Sequence, residues 1–162
     1  MSVQHIPDGY HTVTPYLTVN GADEAIAFYV KAFGAEVLLR LGAPDGSLMH
    51  AEIKIGDSPV MLTDANPAWD AKGPDALGGT PVSLAVYVEN VDDAFQRAID
   101  AGAEEVRPVQ DQFYGDRAGT LRDPYGHVWT LATHIEDLEQ AEIEKRFAEM
   151  MAGQGVAEGS GG

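Results

Sequence analysis

Val19-Asn-Gly-Ala-Asp-Glu-Ala-Ile26 returns 69 residues later as Val88-Glu-Asn-Val-Asp-Asp-Ala-Phe95, and Gly34-Ala-Glu returns as Gly102-Ala-Glu once the intervening helical stretch has passed. Self-similarity at a fixed offset means that one supersecondary unit is used twice, and finding it first decides the fold. Upstream of each anchor lies an alternating segment, Thr12-Val-Thr-Pro-Tyr-Leu-Thr-Val19 and Pro81-Val-Ser-Leu-Ala-Val-Tyr-Val88. A period of two predicts a strand with one face in the core. Downstream, Ala25, Ile26 and Tyr29 or Phe33 in the first copy, and Ala94, Phe95, Ala98 and Ile99 in the second, fall on one side of a helix of about a dozen residues. Gly34 and Gly102 stand where such helices stop.

Three further strands complete each copy, near residues 36–42, 47–55 and 59–64 and near 104–110, 116–122 and 127–134, punctuated by Pro44-Asp-Gly46, Gly56-Asp-Ser-Pro59 and Asp123-Pro-Tyr-Gly126. The expected fold is α+β, two tandem βαβββ modules whose curved mixed sheets surround one cleft. A single domain is expected over residues 1–152: module one at about 12–65, a connection at 66–80, module two at about 81–134, and a terminal helix at about 136–151 with Leu138, Ile143, Phe147 and Met150 as its apolar stripe. The Gly-rich tail 153–162 lacks anchoring side chains and is expected to be disordered.

The 162 residues are enough for one domain with a real core. Ten Lys and Arg against 26 Asp and Glu give a net charge of −16, which repels nucleic-acid phosphates and anionic membrane surfaces. Neither is an expected partner, whereas a cationic ligand is compatible with that charge. The absence of cysteine removes disulfides, thiolate nucleophiles and Cys-held zinc. No membrane span or secretory leader is read, so the expected location is the cytoplasm.

Alternation assigns each strand residue to a face. Val13, Leu17, Val19, Met49, Ala51, Ile53, Ile55, Val60 and Leu62 are expected under the helix in module one, with Val82, Leu84, Val86, Val88, Trp129 and Leu131 in module two. Thr14, Tyr16, Thr18, Leu48, His50, Glu52, Met61 and Thr63 then share the open face of the first sheet, and Ser83, Ala85, Tyr87, Val128, Thr130, Ala132 and His134 that of the second. Tyrosine rings and a methionine among polar groups suit a ligand cavity.

The duplicated unit, Ala27-Phe28-Tyr29 with Phe33-Gly34-Ala35, and Asp123-Pro-Tyr-Gly126 before the last strand resemble the vicinal-oxygen-chelate superfamily of glyoxalase I, bleomycin-resistance proteins and extradiol dioxygenases, over residues 12–134. Thr14-Pro-Tyr-Leu17, His50-Ala-Glu-Ile-Lys-Ile-Gly-Asp57, Gly78-Gly-Thr-Pro-Val-Ser83, Asp111-Gln-Phe-Tyr-Gly-Asp-Arg117 and His127-Val-Trp-Thr-Leu-Ala-Thr-His134 are similar to its PhnB-like branch. In metal-dependent members, the resemblance implies, ligands come from positions that here hold Thr14, Met61, Ser83 and Thr130. None is an imidazole or carboxylate, so no cofactor is expected and a divalent metal is disfavoured. One displaced arrangement stays open: His50, Glu52 and His134 around an ion. A homodimer is expected, because the terminal helix carries an apolar stripe that one small domain does not fully cover and, as the resemblance implies, related folds pair their units across such surfaces.

His50 and Glu52, two apart on one strand, suit a general acid/base pair and equally an ordinary hydrogen bond. Gln112, Tyr114, Asp116 and Arg117 form a rim for a ligand. Arg117 suits either an anion clamp or an internal ion pair with Asp116 or Asp111. Tyr16, Tyr87, Thr14, Met61, Ser83, Thr130 and His134 complete the expected binding set. Three readings therefore stand side by side: a metal-free small-molecule-binding cleft, an enzyme using His50 and Glu52, and a non-catalytic interaction module.

Overall fold

The computed structural model describes residues 2–159 and consists of two four-stranded mixed sheets with their helices. Module one runs β1 (Tyr16–Val19), α1 (Ala22–Phe33), β2 (Glu36–Gly42), β3 (Leu48–Ile55) and β4 (Ser58–Asp64). Short turns make β2, β3 and β4 antiparallel neighbours. The α1 crossover returns the chain so that β1 lies parallel to β4, giving the order β1-β4-β3-β2. After a 3-10 turn at Pro67–Trp69 and the short α2 (Pro74–Leu77), module two repeats the plan with β5 (Ser83–Tyr87), α3 (Val91–Ala101), β6 (Glu104–Asp111), β7 (Asp116–Arg122) and β8 (Val128–His134), ordered β5-β8-β7-β6.

The two helices begin differently. Asn90 caps α3 from within the segment, its side chain accepting from the Asp93 N–H at 3.1 Å. Gly21 has no side chain to do this for α1. Asp64, at the end of β4, accepts instead from the N–H groups of Gly21 (3.1 Å) and Ala22 (2.7 Å), and its other oxygen takes the N–H of Leu48 at 2.7 Å. Gly34 ends α1 at φ 68°, a conformation open to glycine at little cost.

One buried cluster joins the helix sides of both sheets. Tyr29 and Phe33 of α1 pack on Trp129 of β8, with ring centroids 5.5 and 4.8 Å apart. The Arg97 Nε of α3 donates to the Lys31 carbonyl at 2.6 Å. Asp123, buried in the β7–β8 turn, accepts from Trp129 Nε1 (2.9 Å) and the N–H groups of Tyr125 and His127 within its own module and from the Tyr29 hydroxyl (2.6 Å) of α1, and this last bond ties the modules together. Because the helix sides share this core, the open faces of the two sheets lie on the sides away from it.

Most facial assignments hold, with Leu17, Val19, Ala51, Ile53, Ile55, Val60, Leu62, Trp129 and Leu131 buried and Leu84, Val86 and Val88 partly buried against the core. The exceptions have local causes. Val13 (82% exposed) and Val82 (64%) lie outside the strands, because β1 starts at Tyr16 and β5 at Ser83. In β3 the pairing passes from Leu41 opposite His50 to Gly42 opposite Leu48, so Met49 is an extra, bulged residue. Leu48 consequently turns into the core and Met49 stays 38% exposed, the reverse of strict alternation. The Met49 carbonyl accepts from Thr63 Oγ1 at 2.9 Å, which buries a side chain expected on the open face.

The terminal helix, α4, spans Gln140–Gly159, four residues later in its start than expected and continuous through positions read as tail. Residues 160–162 of that tail lie outside the described residues. Leu138 therefore precedes the helix. Ile143 is half-buried, Phe147 and Met150 are exposed, and Phe147 touches Phe113 with centroids 5.5 Å apart.

Candidate functional site

On the open face of module one, strand register sets Tyr16 beside Met61, Met61 beside Glu52 and Glu52 beside Leu39, one residue from each of β1, β4, β3 and β2. His50 follows Glu52 on the same face of β3. Its Nε2 lies 3.0 Å from Glu52 Oε1 and its Nδ1 2.7 Å from the Tyr16 hydroxyl. Glu52 is held below the usual carboxylate range by the hydrogen bond from His50 and then by one from Tyr10. An ionised carboxylate only accepts, so the His50 hydrogen sits on Nε2 and Nδ1 accepts from Tyr16. Tyr10 donates to Glu52 Oε2, and desolvation followed by that bond pushes its phenol up to about 12. The result is a chain of four side chains, Tyr16–His50–Glu52–Tyr10. It is half-buried at its centre and ends in a Tyr16 that is 53% exposed. Such a chain can orient a hydroxyl, accept a donor at Glu52, or pass a proton along His50.

The second open face carries a different cluster. Asp116, buried, accepts from the Tyr87 hydroxyl at 2.7 Å and from His134 Nδ1 at 2.7 Å, while His134 Nε2 lies 2.8 Å from Asp137. Two carboxylates on the two ring nitrogens require both to carry hydrogen, and these bonds, from Asp116 first and then Asp137, raise the His134 pKa. Tyr87 is raised as well, chiefly by its bond to Asp116. Thr130 pairs with Thr120, the hydroxyl oxygens 3.0 Å apart. Ser83 is exposed at the start of β5, and Thr14 lies partly buried ahead of β1.

The structure thus brings together Tyr16, His50, Glu52 and Met61, and separately Tyr87, Asp116 and His134. Gln112 spans its own hairpin, its amide donating to the Gln110 carbonyl at 3.1 Å. Tyr114 stays exposed beside this loop. Arg117 is engaged internally, Nε and Nη2 with the two oxygens of Asp92 at 2.9 Å each and Nη1 with Asp111 at 3.0 Å, rather than with Asp116. Asp92 lies at the start of α3, and this pairing leaves the guanidinium fork committed. The array's outermost member, Tyr10, was absent from the expected set. It stands in a lead-in with no periodicity, and an aromatic residue in an otherwise polar Pro-Asp-Gly-Tyr stretch is its one mark in the sequence.

A metal fits poorly. Thr14, Met61, Ser83 and Thr130 offer hydroxyls and a thioether, weak donors for a divalent ion. The displaced set is not assembled either, because His134 is bound to Asp116 and Asp137 in module two, and among the described residues no group of three or more His, Cys, Asp or Glu side chains is placed to hold an ion. A cavity of about 980 Å³ lies between the modules, bordered by Val13, Phe33, Val60, Tyr87, Arg97 and Trp129, and another of about 280 Å³ includes Tyr16, Lys72 and His127. Neither is lined by His50 or Glu52, so the array meets these cavities only at Tyr16, on the edge of the smaller one, and its His50–Glu52 centre lies on the open surface of the sheet. No helix among the described residues is long and apolar enough to cross a membrane.

Residues 9–131 match the family model of the Glyoxalase/Bleomycin resistance protein/Dioxygenase superfamily. The chain belongs to this superfamily. Within it, an uncharacterized protein of Mycobacterium tuberculosis is 44% identical over 135 residues, covering 82% of this chain and 79% of the relative. Among solved structures, TioX from Micromonospora sp. ML1 superposes with a TM-score of 0.61 at 30% identity, over 80% of this chain and all of TioX. The PhnB protein from Bacillus cereus shares the fold at 20% identity, with a TM-score of 0.57 over 76% of this chain and 99% of its own. Membership in the superfamily accounts for the duplicated βαβββ unit and for the strand order that each module shows.

Proposed function

We propose that this superfamily member binds a small molecule, without metal, on the open face of module one, and that a second copy of the chain completes the cleft. The observation that carries the reading is the Tyr16–His50–Glu52–Tyr10 chain, a line of oriented donors and acceptors at an accessible surface. The apolar residues around it, Leu39, Leu41 and Met49, are each more than a third exposed, which gives a ligand or partner apolar area to cover. The two open faces of one chain lie away from their shared core, so a closed cleft needs a surface from outside the chain. This supports the homodimer, with an interface above about 1,000 Å² in total.

His50 also supports a catalytic reading. One nitrogen on a carboxylate and the other on a phenol is an arrangement able to take a proton from Tyr16 or return it, and a bound carbon acid or hydroxyl compound would meet it there. Titrating a panel of small metabolites by calorimetry into wild type, His50→Ala and Glu52→Ala, with product analysis of the same mixtures, tests both readings. Saturable binding lost in both variants is the expected result, and product formation assigns the enzyme. Sedimentation at micromolar protein gives the mass, and a single-chain mass overturns the shared cleft.

A further inference from the structure

The lead-in to β1 has a role beyond connection. From residue 2 to residue 13 it has no regular secondary structure, and all but Ile6 and Tyr10 are exposed. It is fastened to the first sheet at Pro15, whose carbonyl accepts from the Met61 N–H at 2.9 Å, and again at Tyr10 through Glu52. A turn in which the Tyr10 N–H donates to the Pro7 carbonyl at 3.1 Å, with Gly9 at φ 81°, brings the ring back over the sheet. A segment with so little buried surface is held in place by few contacts and opens at low cost. The bond it makes is nevertheless a strong one, a neutral phenol donating to an ionised carboxylate.

Glu52 sits between Met61 and Leu39 across the strands, and its Oε1 is taken by His50. A group that reaches Oε2 must therefore bring one hydrogen-bond donor and an apolar body able to lie over those neighbours. We propose that Tyr10 is an internal occupant of an aryl-hydroxyl subsite, and that the ligand of this face presents a phenolic ring that displaces Tyr10 and donates to Glu52. This rests on the reading of the module-one face as a small-molecule site and names the chemical class it takes. A short flexible tether holds its end group at an effective concentration of about millimolar, so Tyr10 competes with weak ligands and yields to good ones.

p-Cresol, the tyrosine side chain without its backbone, is the direct probe. Tyr10→Gly vacates the subsite and leaves the core untouched, which circular dichroism verifies. p-Cresol is expected to bind this variant saturably, at least about tenfold tighter than wild type, and toluene and benzylamine about tenfold more weakly than p-cresol. Adding Glu52→Gln to the Tyr10→Gly chain removes the gain, and the His50 ring resonances shift on p-cresol binding because the ring shares Glu52. Absence of p-cresol binding to folded Tyr10→Gly protein overturns the subsite, as does equal binding of toluene, tighter binding of benzylamine, or indifference to Glu52→Gln. The two readings fail separately. A metabolite from the panel that binds wild type and Tyr10→Gly protein equally breaks the subsite and leaves the binding function standing, whereas p-cresol binding to Tyr10→Gly with no panel ligand for wild type breaks the broader reading.

Discussion

The open faces of the two modules use the same three kinds of side chain, tyrosine, histidine and carboxylate, on the same strand order, and arrive at opposite states. In module one, His50 touches one carboxylate and one phenol, and the array ends in an exposed Tyr16. In module two, His134 is clasped by two carboxylates, one of them buried, and the second belongs to the segment that follows the sheet. The difference is the partner of the outer nitrogen. A phenol leaves the imidazole able to accept and relay, whereas a second acid favours its charged form, which braces Asp116 against Asp137. Residue type alone does not mark a site, and the groups left unsatisfied toward solvent do.

The largest expected effect separates the two β-turns that join the last strands of each module. Asp123→Ala leaves the Tyr29 hydroxyl, Trp129 Nε1 and two backbone N–H groups without their acceptor, and should cost about 3 kcal/mol or more in urea unfolding. Asp57→Ala, in the exposed turn of module one, should stay within about 0.5 kcal/mol. Equal losses would end the view that the modules are joined through the second turn. Next, Asp116→Ala should cost about 1–3 kcal/mol and leave ligand binding on the first face intact, while Glu52→Gln should change stability by under about 1 kcal/mol and weaken binding about tenfold. The reverse pattern would exchange the roles of the two faces.

A subtler contrast is in pH. The His134 pKa is raised in the folded protein above its ordinary 6.5, so the stability it lends is complete below 6.5 and is lost as pH rises through the folded value. The melting-temperature gap between wild type and His134→Gln should therefore narrow from about pH 6 to about pH 9. A gap that widens would show that the ring is not held as a cation. Glu52 behaves with the opposite sign, its contribution being present above 4.5 and lost as pH falls below it. The smallest effect belongs to Tyr16→Phe, a half-exposed side chain whose loss should alter stability by less than about 0.5 kcal/mol while still changing affinity.

What the sequence revealed and what it hid follow one physical division. The repeat, the succession of strands and the nearness of His50 to Glu52 were legible because they depend on local period, and residues two apart on a strand share a face. Met49 was misplaced because a bulge alters register without altering composition. Arg117 was matched to its sequence neighbours, yet its main partner, Asp92, comes from the start of α3 25 residues away. Tyr10, joined to Glu52 across 42 residues, Asp64, at the end of a strand, and Asp123, read as a turn residue, depend on contacts that form only once the sheets exist.

Asp64 carries one more consequence, for the order in which the chain acquires structure. The first turn of α1 gets its acceptor from the last residue of β4, 42 positions later, so that end of the helix stays frayed until the whole of module one has closed. The corresponding turn of α3 is completed by Asn90 three residues away and can form as soon as its own segment coils. In pulsed hydrogen exchange during refolding, the amide of Asp93 should gain protection before that of Ala22. The helix written second in the chain would then be the first to persist, and the first module would wait for its own last strand.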